Sequence, residues 1–205
     1  MPVRVQKDMG VPAVLDYDAR LMLLVREGDG GSFALLLNKY RGPVIHFLYR
    51  MVQNQAVAEE LAQEVFLRVY RGRGNYEPSA KFTTWLFRIA TNLAINSLRD
   101  GRAEKNHEQI DGPVGDRPVL QVPDRSPTAE QLLVYGVKLQ EVREAISGLP
   151  DKQRAAVLMH KYEEMEYSQI ASVLGCSESA VKSLLFRAYE SLRARLAHMD
   201  DKGAR

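Results

Sequence analysis

Residues 167–188 read YSQIASVLGCSESAVKSLLFRA, and the way this stretch turns decides the fold. Ala171 is small where two helices would approach each other. Gly175 can take positive φ where the first helix has to stop. Ser177 then offers a hydroxyl to cap the N-terminus of a second helix. Val181, Leu184 and Leu185 recur at helical spacing and can pack back on Ile170 and Leu174. Lys182, Ser183, Phe186 and Arg187 are left on the outer side, where a recognition helix meets a major groove. The stretch therefore reads as a helix-turn-helix. An ordinary helical hairpin with a solvated basic face has the same local pattern, so the rest of the chain has to be weighed with it.

Working outward, the segment DGPVGDRPVLQVPDRSP holds four of the nine prolines of this 205-residue chain. It reads as a flexible linker, residues 101–127, between a domain over residues 15–100 and another over residues 128–198. No alternating strand pattern and no repeat is present, so the expected fold is all-α. Two small helical domains are joined by the linker, the second ending in the helix-turn-helix. In the first domain helices are expected over residues 18–27, stopped by Gly28-Asp29-Gly30-Gly31, and over 32–51, with Pro43 a potential kink. Two more are expected over 56–70, ended by Gly72 and Gly74, and over 81–99. In the second, Thr128 and Gln131 are spaced as a capping box. Gly148-Leu149-Pro150 ends that helix, and Asp151 is expected to cap the next, which runs to about Tyr162.

Net charge is only +2, but it is unevenly spread. Residues 68–105 carry eight Lys/Arg against three Asp/Glu, and residues 182–195 carry four against one. Residues 54–64 carry three glutamates and no base. Two basic regions and an acidic one suggest DNA contact together with a different partner. On the fourth helix Lys81, Thr84, Arg88, Asn92, Asn96 and Arg99 follow at steps of three or four and share a polar face. Phe82, Trp85, Leu86, Ile89 and Leu93 form the apolar one. Asparagine donates and accepts at base edges, and arginine holds phosphate or stacks. A solvated face has the same spacing. On the third helix Glu59, Glu60, Gln63 and Glu64 sit opposite Val57, Leu61, Val65 and Val69. They suit either a helix N-terminus in water or a docking face for a partner.

The run AEELAQEVFLRVYR, then FTTWLFRIATNLAINSLR, then a linker, then ISGLPDKQRAAVLMHKYEEMEYSQIASVLG and AVKSLLFRA, resembles the extracytoplasmic-function sigma factors of bacterial RNA polymerase. The resemblance covers about residues 18–196. It implies a dissociable specificity subunit whose first domain recognises and helps melt the −10 element and whose second reads the −35 element. It places Glu60, Gln63 and Glu64 on the clamp helices of the polymerase β′ subunit, with the β flap a second contact. It places Asn92 and Asn96, on the stripe with Lys81 and Arg88, against the −10 single strand. The loop from Gly74 to Ala80 would cradle a flipped-out base. Lys182, Ser183, Phe186 and Arg187 would meet the −35 duplex. Promoter DNA and core polymerase are then the partners, and the family also admits an anti-sigma factor. Leu184 and Tyr189 stand where the family often has arginine, so the −35 contacts need not be the usual ones.

Other classes fare less well. A stand-alone helix-turn-helix regulator with a helical sensor domain would need a ligand pocket or receiver site, and no Gly-rich phosphate loop or β/α alternation is present. His46, His107, His160 and His198 show no metal spacing, and no nucleophile sits beside a base. No enzyme, metal or cofactor is expected. Cys176 is the single cysteine, read as a small buried apolar residue. One thiol fits a reducing interior. No apolar run approaches the roughly 20 residues that cross a bilayer, and MPVRVQKDMG lacks a signal-peptide core. The expected location is the cytoplasm, without membrane insertion.

Overall fold

The structure is a computed structural model and describes residues 16–105 and 129–201. The segment read as the linker falls outside them beyond Lys105, and so does Thr128 with its expected capping box. Among the described residues the chain is all-helical. The N-terminal half holds α1 (Tyr17–Arg26), α2 (Gly30–Val52), α3 (Gln55–Arg71), a short 3₁₀ turn (Gly72–Asn75) and α4 (Phe82–Lys105). The C-terminal half holds α5 (Ala129–Ser147), α6 (Asp151–Tyr162), α7 (Tyr167–Leu174) and α8 (Glu178–Asp201).

The caps explain most of the boundaries. Asp16 Oδ1 accepts from the Ala19 amide at the start of α1. Asn54 Oδ1 accepts from the Val57 amide at the start of α3. The Gly28–Gly31 run is shorter as a break than expected. Asp29 caps α2 through the amides of Gly31 and Ser32, so the last two glycines already lie in the helix. Bonding to Ser32 holds the Asp29 carboxyl below its usual range. α2 then runs on through Pro43, whose missing N–H removes one ladder bond. The expected Asp151 cap is not formed. Pro150 precedes α6 with no side-chain cap bond, and Asp151 is used elsewhere.

α1 is fastened to α2 by Asp18, which takes Lys39 Nζ at 2.7 Å and Tyr40 Oη at 2.6 Å. Under this network Met22, Val44, Phe47, Leu48, Val65, Phe82 and Leu86 are fully buried. On α3 the buried line is Ala58, Ala62, Val65, Phe66 and Val69. Val57 and Leu61, expected on it, lie at its edge and are only half-buried. In the C-terminal half Leu158, Met159, Ile170, Val181 and Leu185 form the centre.

The two halves do not stand apart. α7 packs along α4, and α5 and α6 pack on α2. The buried residues of both halves form one contiguous apolar cluster.

Candidate nucleic-acid and partner surfaces

The turn in residues 167–188 forms as its residue types require. α7 ends at Gly175 with φ 63°, a region that costs a side-chain-bearing residue more than glycine. The Cys176 amide closes the turn on the Ala171 carbonyl at 3.0 Å. Ser177 Oγ accepts from the Ala180 amide at 3.2 Å and caps α8. Cys176 is half-buried against the core, less enclosed than its type suggests. Val181, Leu185 and Ala188 face inward. Lys182, Ser183, Phe186 and Arg187 are all exposed and together line one shallow depression. Phe186 is 68% exposed, which is unusual for a large apolar side chain with nothing to cover it. Ser183 Oγ donates back to the Ser179 carbonyl, so its hydroxyl oxygen is left to accept. Leu184 is half-buried and is not an outward contact. Tyr189 is held sideways by His160, whose Nδ1 lies 3.2 Å from the phenol oxygen. Burial raises the pKa of that phenol.

On α4 the stripe is real but loses one member. Lys81, Arg88, Asn92, Asn96 and Arg99 are exposed. Thr84 is 3% exposed and its hydroxyl has no hydrogen-bond partner, so it belongs to the interior. Arg88 is engaged: its Nε and Nη2 donate to the Ser172 carbonyl on α7, at 3.1 and 2.6 Å. The loop before α4 is anchored by Tyr76, which is 2% exposed. Its ring lies 5.1 Å from that of Trp85 and 6.3 Å from that of Phe82. Burial, reinforced by Asp16 and Asp18, pushes its phenol up to about 12. Trp85 is half-buried against this cluster.

On α3, Glu60 and Gln63 are exposed and Glu64 is half-buried. Arg68 Nε reaches Glu64 Oε1 at 2.7 Å, which sets a cation beside one of the three expected docking residues. Leu67 and Tyr70 continue this face, 48% and 44% exposed. Sequence reading passed over them because both are apolar types off the line of Val57, Leu61, Val65 and Val69, and the face was judged by its charged members alone.

A second group was not legible in advance. Arg154 is 5% exposed and donates to the carbonyls of Ser147, Leu149 and, across to the other half, Met51. Burial lowers its pKa. Arg102 grips Asp151 with two bonds of 2.9 and 2.6 Å. The Arg50 guanidinium lies 4.0 Å over the Tyr162 ring. Only pairing across 49 to 112 positions of sequence, which no local pattern shows, could have found them. Among the described residues no cluster of His, Cys, Asp and Glu is arranged to hold a metal, and no helix is long and apolar enough to cross a membrane.

Comparison with known proteins gives the same order of parts. Residues 36–104 match Sigma-70 region 2, and residues 139–192 match Sigma-70, region 4. RNA polymerase sigma-H factor of Pseudomonas aeruginosa is 30% identical over 184 residues, 86% of this chain and 92% of that protein. ECF RNA polymerase sigma factor SigW of Bacillus subtilis is 30% identical, covering 84% and 92%. RNA polymerase sigma factor CarQ of Myxococcus xanthus is 33% identical, covering 88% and 98%. In fold, the chain resembles CnrH in its complex with the cytosolic domain of CnrY, with TM-score 0.67, 20% identity and coverage of 89% and 99%. It also resembles RpoE of Bartonella quintana bound to the anti-sigma factor NepR, with TM-score 0.65, 20% identity and coverage of 80% and 96%.

Proposed function

Because the chain belongs to the extracytoplasmic-function sigma factors of the sigma-70 family, we propose how its three surfaces divide the work of promoter-specific transcription initiation. The exposed face of α8 reads the −35 element in the duplex. Lys182 and Arg187 supply charge for phosphate and guanine, Ser183 an acceptor, and Phe186 an apolar contact suited to a thymine methyl. The α4 stripe takes the −10 element as single strand. Asn92 and Asn96 are too short to reach far into a groove from a packed helix, but they suit the edges of splayed bases. Arg88 and Lys81 flank them for the backbone. Capture of unstacked bases offsets part of an unpairing cost of about a few kcal/mol. The α3 face, with Glu60, Gln63 and Glu64, docks on the clamp helices of core polymerase, and the C-terminal half meets the β flap. The protein carries no catalytic step of its own in this scheme; the polymerase supplies it. It acts where the polymerase is, in the cytoplasm. An anti-sigma factor is a further partner by analogy with the Bartonella complex.

The observation that carries the reading is the division of α8, with Val181, Leu185 and Ala188 buried and Lys182, Ser183, Phe186 and Arg187 exposed on one face. Run-off transcription with core polymerase and a genomic promoter library tests it. Starts should share two spaced elements upstream. A library in which Arg187→Ala leaves the start sites and yields unaltered would overturn the −35 assignment.

A further inference from the structure

The outer face of α8 is longer than the four residues named so far. Glu178, Lys182 and Phe186 follow one another at steps of four, and Ser179, Ser183 and Arg187 make a second row beside them. All six are exposed, and a step of four keeps side chains on one side of a helix. In a helix-turn-helix the first residues of the recognition helix reach the base edges. Glu178 is the first residue of α8, directly after the capping Ser177. One turn of helix rises about 5.4 Å, against about 3.4 Å between base pairs, so Glu178 and Lys182 fall on different pairs.

Lys182 is spaced to pair with Glu178, yet its Nζ lies instead 5.9 Å from the centroid of the Tyr167 ring. Among the described residues no hydrogen bond or ion pair engages the Glu178 carboxylate. Ser179 differs, because its hydroxyl lies 2.9 Å from that of Ser177 and is already used at the cap. Glu164 and Glu166 line the same depression as Glu178, whereas Lys182 and Arg187 line the next one. The face is thus acidic where it begins and basic along its length. Phosphate suits the basic part and is repelled by the other. A carboxylate only accepts hydrogen bonds, so it needs a donor on a base edge. In the major groove guanine and thymine present acceptors, and adenine sets its N6 amino group beside the N7 acceptor. Cytosine presents its N4 amino group with no acceptor of its own.

We infer that Glu178 is a specificity-determining residue, which selects cytosine in the −35 duplex through the N4 amino group, at a base pair beyond the one that Lys182 meets. The inference rests on the α8 assignment above. The rival role is structural: a glutamate in the first turn also stabilises its own helix through the dipole. That role is blind to the base. It predicts the same effect of a substitution on every promoter, whereas a base reader predicts an effect at one position only.

The experiment uses the full chain with core polymerase and a promoter active in the run-off assay. Its −35 element is randomised, and barcoded transcripts report the base preference at each position. The unaltered chain should favour cytosine at one position, on the order of tenfold over the other bases. Glu178→Ala should level that position and leave the preferences at the others in place, which also shows that the variant is folded. Glu178→Gln should move the preference at the same position to adenine, which an amide pairs through N6 and N7. A helix-stabilising role would move none of these. The inference is overturned by any of three results: no cytosine preference in the unaltered chain, a yield that changes alike on every template in Glu178→Ala, or a cytosine preference that survives Glu178→Gln. Arg187→Ala, run alongside, separates this failure from that of the α8 reading. If it alters a preference while Glu178→Ala alters none, only Glu178 is misassigned. If neither variant alters any preference, the α8 assignment falls as well.

Discussion

Arg187 and Lys182 are exposed on α8, with Lys182 Nζ 5.9 Å from the centroid of the Tyr167 ring, so removal of Arg187 tests recognition with little confusion from folding. Arg187→Ala should weaken binding to a cognate −35 duplex by about 1–3 kcal/mol if the contact is bidentate to a base. A phosphate contact would instead weaken all duplexes alike and lower the salt slope by about one. Fluorescence anisotropy across a salt series separates the two. Asn92→Ala with Asn96→Ala should damage promoter opening, read by permanganate reactivity, more than core binding. Stability should change by only about 0.5 kcal/mol, because both positions are exposed. At this scale the sequence was legible wherever helical spacing alone sets the answer. The outward and inward residues of α8 sit as the spacing predicts. Thr84 does not. It is one step of three from Lys81, which turns it some tens of degrees off the stripe, enough to bury it. Its type gave no warning, because threonine is at home on either side.

The helix-turn-helix elbow depends on a single backbone conformation. Gly175→Ala puts a Cβ on a residue at φ 63°, and about 1 kcal/mol of stability should be lost. Urea unfolding checks this, and a loss near zero would mean that the elbow relaxes. The acidic face of α3 is tested by Glu60→Lys with Glu64→Lys, which should weaken core polymerase binding while helical circular dichroism is retained. Arg68, left without its carboxylate, adds to the repulsion. Element boundaries were readable from a cap where a side chain makes it, as at Ser177. They were misread where the residue has a second use. Asp151 has the right type and place for a cap, but Arg102 claims its carboxylate, and Pro150 opens α6 unaided. A carboxylate can satisfy a local amide or a distant guanidinium, and only the fold decides which.

The contact between the halves was beyond reach of any window of sequence. Arg154 lies in an ordinary-looking helix, and its partners come from two stretches of chain, Ser147 with Leu149 and, in the other half, Met51. The reading of two domains followed from the proline-rich stretch, which says where a chain is free to bend and nothing about what then meets. This interface also has a titrating group. Burial pushes the Glu163 carboxyl up to about 7 from 4.5, against the pull of Arg50 on α2. A carboxyl whose pKa is raised in the packed arrangement favours that arrangement while protonated. The contribution is fully present below the released value of 4.5 and fades as pH rises through 7. The packed arrangement should therefore lose stability between pH 5 and pH 8, and Glu163→Gln should flatten the profile. Urea unfolding at the two pH values checks it, and an unchanged slope in the glutamine variant would remove Glu163 as the cause.

Trp85 is the only tryptophan in the chain. Its indole lies 3.6 Å from where a side chain on Gly72 would begin, and beside the ring of Tyr76. It thus sits beneath the loop expected to cradle a base, not on the recognition helix. Tryptophan emission, excited beyond the absorption of the nine tyrosines, is consequently an optical gauge of that loop. Its emission should shift or quench when a −10 single strand is added and stay constant when a −35 duplex is added. The two halves of promoter engagement can then be timed separately in one stopped-flow trace, with no dye on either molecule.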